Sequence, residues 1–394
     1  MTIYALSMFY FTRQAGCMLT LFVIQTVCYV ELIQLLSSSK QEAKIPMFRN
    51  FYIYWFLIFS FWSWGKALKP HLMRDSFVES LGFSMYDWLQ YFEIISYTLY
   101  VVGILAFVLS LDDKKMFRYQ FQQFASCHCA LLLIVVQGTL NVSNLFNGIM
   151  WVLFPMSLIV CNDCFAYIFG FLFGKTPLIR LSPKKTWEGF LGGALATMIH
   201  AVLFSRFLSD PAFDPFYQSG LVPIPYIQPV MTCKPRGVLV ESFSMHPPTC
   251  EWAKLYRPAN VCPEAFPMAS RIAGLAGLEN VLCKHVSWSP VQSHALVYGF
   301  FASVIAPFAG FFASGFKRAI KAKDFGSLFP GHGGMLDRFD CHMLMASFGY
   351  FYFSYVIEGN DPVSKVQKAL KVLSELGLSA MDIDSIREKI NLKL

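Results

Sequence analysis

Eight stretches of this chain are long and apolar enough to cross a lipid bilayer, and no other feature restricts its fold as strongly. A helix needs ~20 mainly apolar residues to span the hydrocarbon core. The runs at roughly 16–36, 51–68, 90–111, 127–146, 148–173, 188–208, 295–316 and 341–357 meet that requirement. Backbone polar groups inside lipid must be satisfied within the segment, so the runs are expected to be helices and not strands. At 394 residues the chain could form two soluble domains, but 55% hydrophobic residues, 14% charged residues and 40 Phe argue against that. The expected fold is an all-α polytopic integral membrane protein with about eight transmembrane helices. The opening "MTIYALSMFYFTRQAG" has neither the basic start of a signal peptide nor the Arg/Ser bias of a transit peptide. The first span is therefore expected to remain, with the endoplasmic reticulum as the default eukaryotic membrane and a bacterial inner membrane not excluded.

Charge sets an orientation. The net charge of +7 sits in short loops between spans, which is what the positive-inside rule produces, so nucleic-acid binding is not expected. The loops at 112–118, 174–187 and 314–340 are rich in Lys and Arg and are expected in the cytosol. That places an uncharged "NVSN" turn at 141–144 and the long 209–294 segment on the other side. A 66–74 loop with Lys66, Lys69 and Arg74 then violates the rule. The 209–294 segment carries Pro and Cys233, Cys250, Cys262 and Cys283, whose spacing fits no zinc pattern; an oxidising lumen would permit disulfides there. Cys161-x-x-Cys164 lies in an apolar span and reads as incidental, and the Asn141 sequon lies too close to the membrane to be modified. The expected organisation is a membrane domain over 1–358, including the 209–294 loop, followed by a short amphipathic helical tail over 359–394.

Three polar clusters interrupt the apolar pattern. Asn162 and Asp163 lie inside a span, where a carboxylate is costly and marks a site or a buried partner. "RLSPKKTWEGF", 180–190, offers a turn at Ser182-Pro183, two cations in Lys184 and Lys185, and Thr186 as a cap for the next helix. An ordinary anchor with an N-cap would explain that stretch equally well. The third is "SGFKRAIKAKDFGSLFPGHGGMLDRFD", 314–340. Anchoring explains its Lys and Arg but not Asp324, Asp337 and Asp340 among them, nor His332 in a Gly-rich turn. Asp337 and Asp340 are three apart, so at a helix start they point to one side. With Asp324 they offer the oxygen ligands that Mg²⁺ prefers beside substrate phosphates. The adjacent cations would hold the remaining phosphate charge.

At these residues the chain resembles the eukaryotic phosphatidate cytidylyltransferases, or CDP-diacylglycerol synthases. Their signature is filled without a gap over 27 positions by Ser314, Lys317-Arg318, Lys323-Asp324, Pro330-x-His332-Gly333-Gly334, Asp337-Arg338 and Asp340. Asp163, Ala166 and Tyr167, and Ser182, Lys185, Thr186, Glu188 and Gly189, resemble two further stretches of that family. The likeness is clear over about 140–345 and weak in 209–280 and the tail.

The resemblance implies transfer of CMP from CTP to phosphatidate, giving CDP-diacylglycerol and pyrophosphate, with Mg²⁺ as cofactor and the bilayer as partner. It implies Asp337, Asp340, Asp324 and Asp163 as metal ligands. Lys317, Arg318, Lys323 and Arg338 would hold phosphates, and His332 would bond a phosphate oxygen or protonate the leaving group. Ser182, Lys184, Lys185, Thr186, Glu188, Ser314, Gly333 and Gly334 would line the substrate pocket, in a polar cavity facing the cytosol and open sideways to lipid. Room is left for a homo-oligomer. A polyprenol kinase would lack the complete signature, and a transporter would show paired halves that are not evident.

Overall fold

The computed structural model describes residues 2–37, 48–73, 83–179, 182–209, 255, 259–260, 287–329 and 333–360. The chain is an all-α polytopic membrane protein that divides into two compact units, Met1–Ser347 and Phe348–Leu394. In the first unit α1 (Thr2–Leu36), α2 (Phe48–Leu72) and α3 (Phe83–Leu109) are followed by α4 (Phe117–Ala130) and α5 (Gln137–Leu145), which a π-helical stretch joins. Then come α6 (Met150–Phe173), a hairpin of β1 (Pro177–Ile179) and β2 (Ser182–Thr186), and α7 (Trp187–Ser209). A two-residue ladder of β3 (Ala259–Asn260) and β4 (Ser287–Trp288) precedes α8 (Pro290–Phe300) and α9 (Pro307–Ala319), and α10 spans Leu336–Tyr352. Of the second unit, the last turn of α10, a π-helical stretch at Phe353–Ile357 and α11 (Glu358–Asn360) are described. The expected tail helices lie outside the described residues, as do Cys233, Cys250, Cys262 and Cys283.

Six stretches among the described residues are long and apolar enough to cross a membrane: Ala15–Leu36, Tyr91–Leu109, Phe117–Leu145, Met150–Phe173, Trp187–Leu208 and Pro290–Ala319. The other two of the expected eight are helical but fall outside that set. Aromatic α2 carries Arg49, Lys66 and Lys69, and α10 carries Asp337, Arg338 and Asp340 near its start.

Several boundaries differ from expectation for local reasons. Lys66 and Lys69 belong to the last turns of α2 rather than to a loop, and the Lys66 ammonium lies 5.6 Å from the centre of the Trp62 ring. "NVSN" is helical; the turn comes later, at 146–148, where Gly148 takes a φ of 127°. α8 starts at Pro290, not near 295, because Ser289 and Gln292 form a capping box with Pro at the first position. Gln25 of α1 donates to the carbonyls of Ile134 (3.3 Å) and Val135 (2.6 Å). Before Pro307, which has no N–H, the Ala306 N–H reaches back five residues to the Phe301 carbonyl at 2.9 Å.

Packing sorts the loops into two ends of the first unit. Leu36, Leu111, Phe325 and Leu336 share one hydrophobic cluster around Trp55 and Phe107, and Gln123 donates to the Leu36 carbonyl at 2.9 Å. At the other end, Cys17, Leu72, Leu145 and Phe146 pack together, with His71 stacked on Phe146. The C-terminal end of α1 and the loops after α3 and α9 therefore lie at one end. The 174–187 loop joins them, since Asp163 interacts electrostatically with both Lys185 and Arg338. The three basic loops thus share one end of the bundle.

Candidate active site

Two loops and one helix build the site. α6 carries Asp163 toward the 174–187 loop, and α7 packs tightly against it: a Cβ on Gly189 would stand 2.6 Å from the Ala166 carbonyl oxygen. Only glycine permits that approach. The chain between the helices is a hairpin, with Pro177 opposite Thr186 and Ile179 opposite Ser182. The expected turn at Ser182-Pro183 is instead the start of β2. Pairing with β1 draws those residues into extended backbone. Thr186 caps as expected, its Oγ1 accepting the Gly189 N–H at 3.2 Å. Glu188 is tied into the hairpin. Its carboxylate accepts the Thr176 hydroxyl at 2.6 Å and the N–H groups of Lys175 and Thr176 at 3.1 and 3.3 Å, tying the hairpin entry to its exit.

The 314–340 stretch lies near Asp163, with which Arg338 and Asp340 interact electrostatically. Ser314, Lys317 and Arg318 lie on α9, with Arg318 exposed. Lys323 and Asp324 are exposed in the following loop. His332 lies outside the described residues, between Phe329 and Gly333, whose backbones pair. Gly333 has a φ of 85°, and a Cβ there would stand 3.0 Å from Asp337 Oδ2 and 3.3 Å from Asp324 Oδ1. Glycine is required on both counts.

The acidic residues divide into two groups. Asp337, in the first turn of α10, holds three donors: Oδ1 pairs with Lys317 Nζ at 2.6 Å. Its Oδ2 accepts the N–H groups of Phe325 and Gly334, each at 2.9 Å. Lys317 also lies 5.2 Å from the Phe325 ring centre. Asp340, one turn on, faces α9, where a Cβ on Gly310 would lie 3.5 Å from Oδ2. It interacts electrostatically with Asp163 across the site and with Lys317. Asp163 Oδ1 lies 4.0 Å from Lys185 Nζ, and these side chains are 60% and 48% exposed, against 9% and 16% for Asp337 and Lys317. One ion pair is open and the other nearly sealed.

The open group borders a cavity of about 480 Å³. Its polar side comprises Asn162, Asp163, Ser182, Lys185 and Thr186, and its apolar side Tyr167, Phe171, Phe190, Pro307 and Phe311. Tyr167 and Phe171 are largely exposed, so the apolar side meets the membrane-facing surface. The volume falls within the range of small-molecule sites. A smaller cavity of about 280 Å³, between α2 and α3, contains none of the expected site residues. The Lys184 side chain lies outside the described residues. Among the described residues, no three His, Cys, Asp or Glu side chains gather closely enough to hold a metal ion by themselves.

One carboxylate escaped the sequence reading. Glu31, the single acidic residue of α1, is buried and accepts the N–H groups of Met335 and Leu336. An isolated acid in an apolar run is the same signal that marked Asp163.

An ion pair of Asp163 and Lys185 on the polar side of an amphipathic cavity sits among the helices of a membrane protein. The family model described as "Cytidylyltransferase family" matches residues 1–356, and the chain belongs to that family. It is 39% identical over 380 residues to phosphatidate cytidylyltransferase 1 of Rattus norvegicus, covering 95% of this chain and 74% of that relative. It is 38% identical over 351 residues to phosphatidate cytidylyltransferase 1 of Arabidopsis thaliana, covering 87% and 74%. With phosphatidate cytidylyltransferase 2 of Homo sapiens it shares 37% over 357 residues, covering 90% and 72%.

Proposed function

We propose that this protein is a phosphatidate cytidylyltransferase, moving CMP from CTP to phosphatidate with release of pyrophosphate. The observation that carries the reading is the cavity, which has charged groups on one side and membrane-facing aromatic residues on the other. A nucleotide needs the first and a diacyl lipid the second. A phosphate oxygen of phosphatidate attacks the α-phosphorus of CTP, forming a new P–O bond. The bond to the bridging oxygen of the β-phosphate breaks, and that electron pair leaves with pyrophosphate. A phosphate monoester has a second pKa of about 6, so the nucleophile is anionic near neutral pH without a strong base. The protein's task is positioning and neutralisation of charge.

The residues divide that task. Lys185 and Lys184 hold CTP phosphates from the hairpin, which Glu188 and Thr186 shape. Arg338 of α10, Arg318 of α9 and Lys323 of the loop between them gather phosphate charge, with Lys317 adding its field from behind Asp337. Ser314 and Gly334 line the approach. His332 supplies a hydrogen bond to a phosphate oxygen or to the leaving group. Asp340 and Asp163 suit Mg²⁺, which is commonly held by one or two carboxylates with substrate phosphates completing its shell. Bound there, the cation would neutralise charge developing on the triphosphate. Asp337 shapes the turn, since Lys317 and two N–H groups take up most of its acceptor capacity. Asp324 lies beside it at Gly333.

The end carrying the basic loops faces the cytosol of the endoplasmic reticulum, where CTP is available. Phosphatidate enters between α6 and α9, keeping its acyl chains in lipid. Purified protein in lipid nanodiscs with CTP, phosphatidate and Mg²⁺ should release pyrophosphate and form CDP-diacylglycerol. Failure with phosphatidate alongside turnover of a polyprenol would overturn the substrate assignment.

A further inference from the structure

We propose that Glu31, in the first membrane helix, is a positioning residue that holds the start of α10 and so sets the geometry of the phosphate- and metal-binding turn. The inference rests on the reading of 314–340 given above. A carboxylate at membrane depth is costly unless strong donors meet it. Both Glu31 oxygens have one: Oε1 accepts the Met335 N–H and Oε2 the Leu336 N–H, each at 2.9 Å. These are N–H groups that the start of a helix leaves unpaired, at the positive end of its dipole.

Helices usually obtain such a cap from a neighbouring side chain, but Gly334 and Met335 offer no acceptor. α10 instead takes its cap from a residue 304 positions earlier in the chain. Two glycines let the loop close around it. A Cβ on Gly326 would stand 2.5 Å from Oε1, and one on Gly334 would stand 2.5 Å from Oε2. Asp337 ties the same turn from within, through Phe325 and Gly334. Glu31 ties it from across the bundle. The direction of α10 decides whether Asp340 meets Asp163, so Glu31 acts through α10 without touching substrate.

A merely stabilising role and a positioning role differ in the molecules that remain folded. The test uses the full chain in nanodiscs with Glu31→Gln and Gly326→Ala. Gln keeps one acceptor but turns an NH₂ group toward an amide donor. Gly326→Ala crowds the same carboxylate from the loop and serves if Glu31→Gln folds poorly. Two quantities are read: the Mg²⁺ concentration giving half-maximal CMP transfer per folded molecule, and hydrogen exchange in peptides covering 333–340, with α7 peptides as control. The proposal expects the Mg²⁺ requirement to rise roughly tenfold, as when groups behind metal ligands are altered. It also expects faster exchange in 333–340 alone. Wild-type values of both in folded variants would overturn it. If wild-type protein transfers no CMP, the cytidylyltransferase reading fails while exchange still decides the role of Glu31.

Discussion

Asp337 and Asp340 stand one turn apart on the same helix, yet the fold gives them opposite surroundings. Asp337 is nearly sealed, with one oxygen on Lys317 and the other on two backbone N–H groups. Asp340 Oδ1 accepts the Cys341 N–H at 2.6 Å, Oδ2 faces Gly310 of α9, and the group interacts electrostatically with Asp163. A carboxylate that holds an ammonium and two N–H groups organises a loop first, whereas one with fewer donors keeps more of its acceptor capacity for a cation and phosphates. Motif spacing alone would give both acids one role; their partners separate them.

The comparison is sharpest when each acid is made neutral. Asp340→Asn and Asp163→Asn should each lower turnover about a thousandfold, since metal stabilisation of transition-state charge is worth several kcal/mol and each 1.36 kcal/mol is tenfold. Thermal unfolding of the detergent-solubilised protein should stay near wild type. A well-folded Asp340→Asn protein with ordinary turnover would break the comparison from one side.

Asp337→Asn should mainly destabilise. It leaves Lys317 buried without its counter-charge, and breaking such a pair costs ~3–5 kcal/mol. Removing both charges in Asp337→Asn/Lys317→Met should recover part of the lost melting temperature, because residues in direct contact are not additive. Purely additive losses would argue that the ion pair contributes nothing.

Smaller effects are expected in the hairpin. Replacing Lys184 and Lys185 with Gln should raise KM for CTP on the order of tenfold or more, since a hydrogen bond to a charged group is worth ~1.5–3 kcal/mol. KM for phosphatidate should change far less; equal shifts with poor membrane insertion would restore a simple anchoring role. Thr186→Val should cost only ~1 kcal/mol of stability through the lost cap, visible as a modest drop in melting temperature with little change in turnover.

The sequence made the membrane class legible because lipid leaves the backbone few options, and apolar runs announce it. The shared end of the three basic loops was legible for the same reason: charge resists crossing. The cap at Thr186 followed from local chemistry. The start at Pro290 could have been read from Ser289-Pro290-x-Gln292 but was masked by apolar counting. Partner choice was not legible. Whether Asp337 binds Lys317 or a cation depends on how α9 approaches α10. Likewise, Glu188 turns to the Thr176 backbone because of a hairpin that no periodicity reveals. Glu31 contacts a helix start at the far end of the sequence, a distance at which spacing carries no information.

The central claim is that a divalent cation sits with Asp340 and Asp163 rather than with Asp337. Electron paramagnetic resonance of Mn²⁺, titrated into the protein with CTP in place of turnover conditions, reads that occupancy directly. Asp340→Asn and Asp163→Asn should each abolish the tightly bound Mn²⁺ signal, while folded Asp337→Asn protein retains it. Loss of bound Mn²⁺ in folded Asp337→Asn protein, with retention in Asp340→Asn, would contradict the assignment.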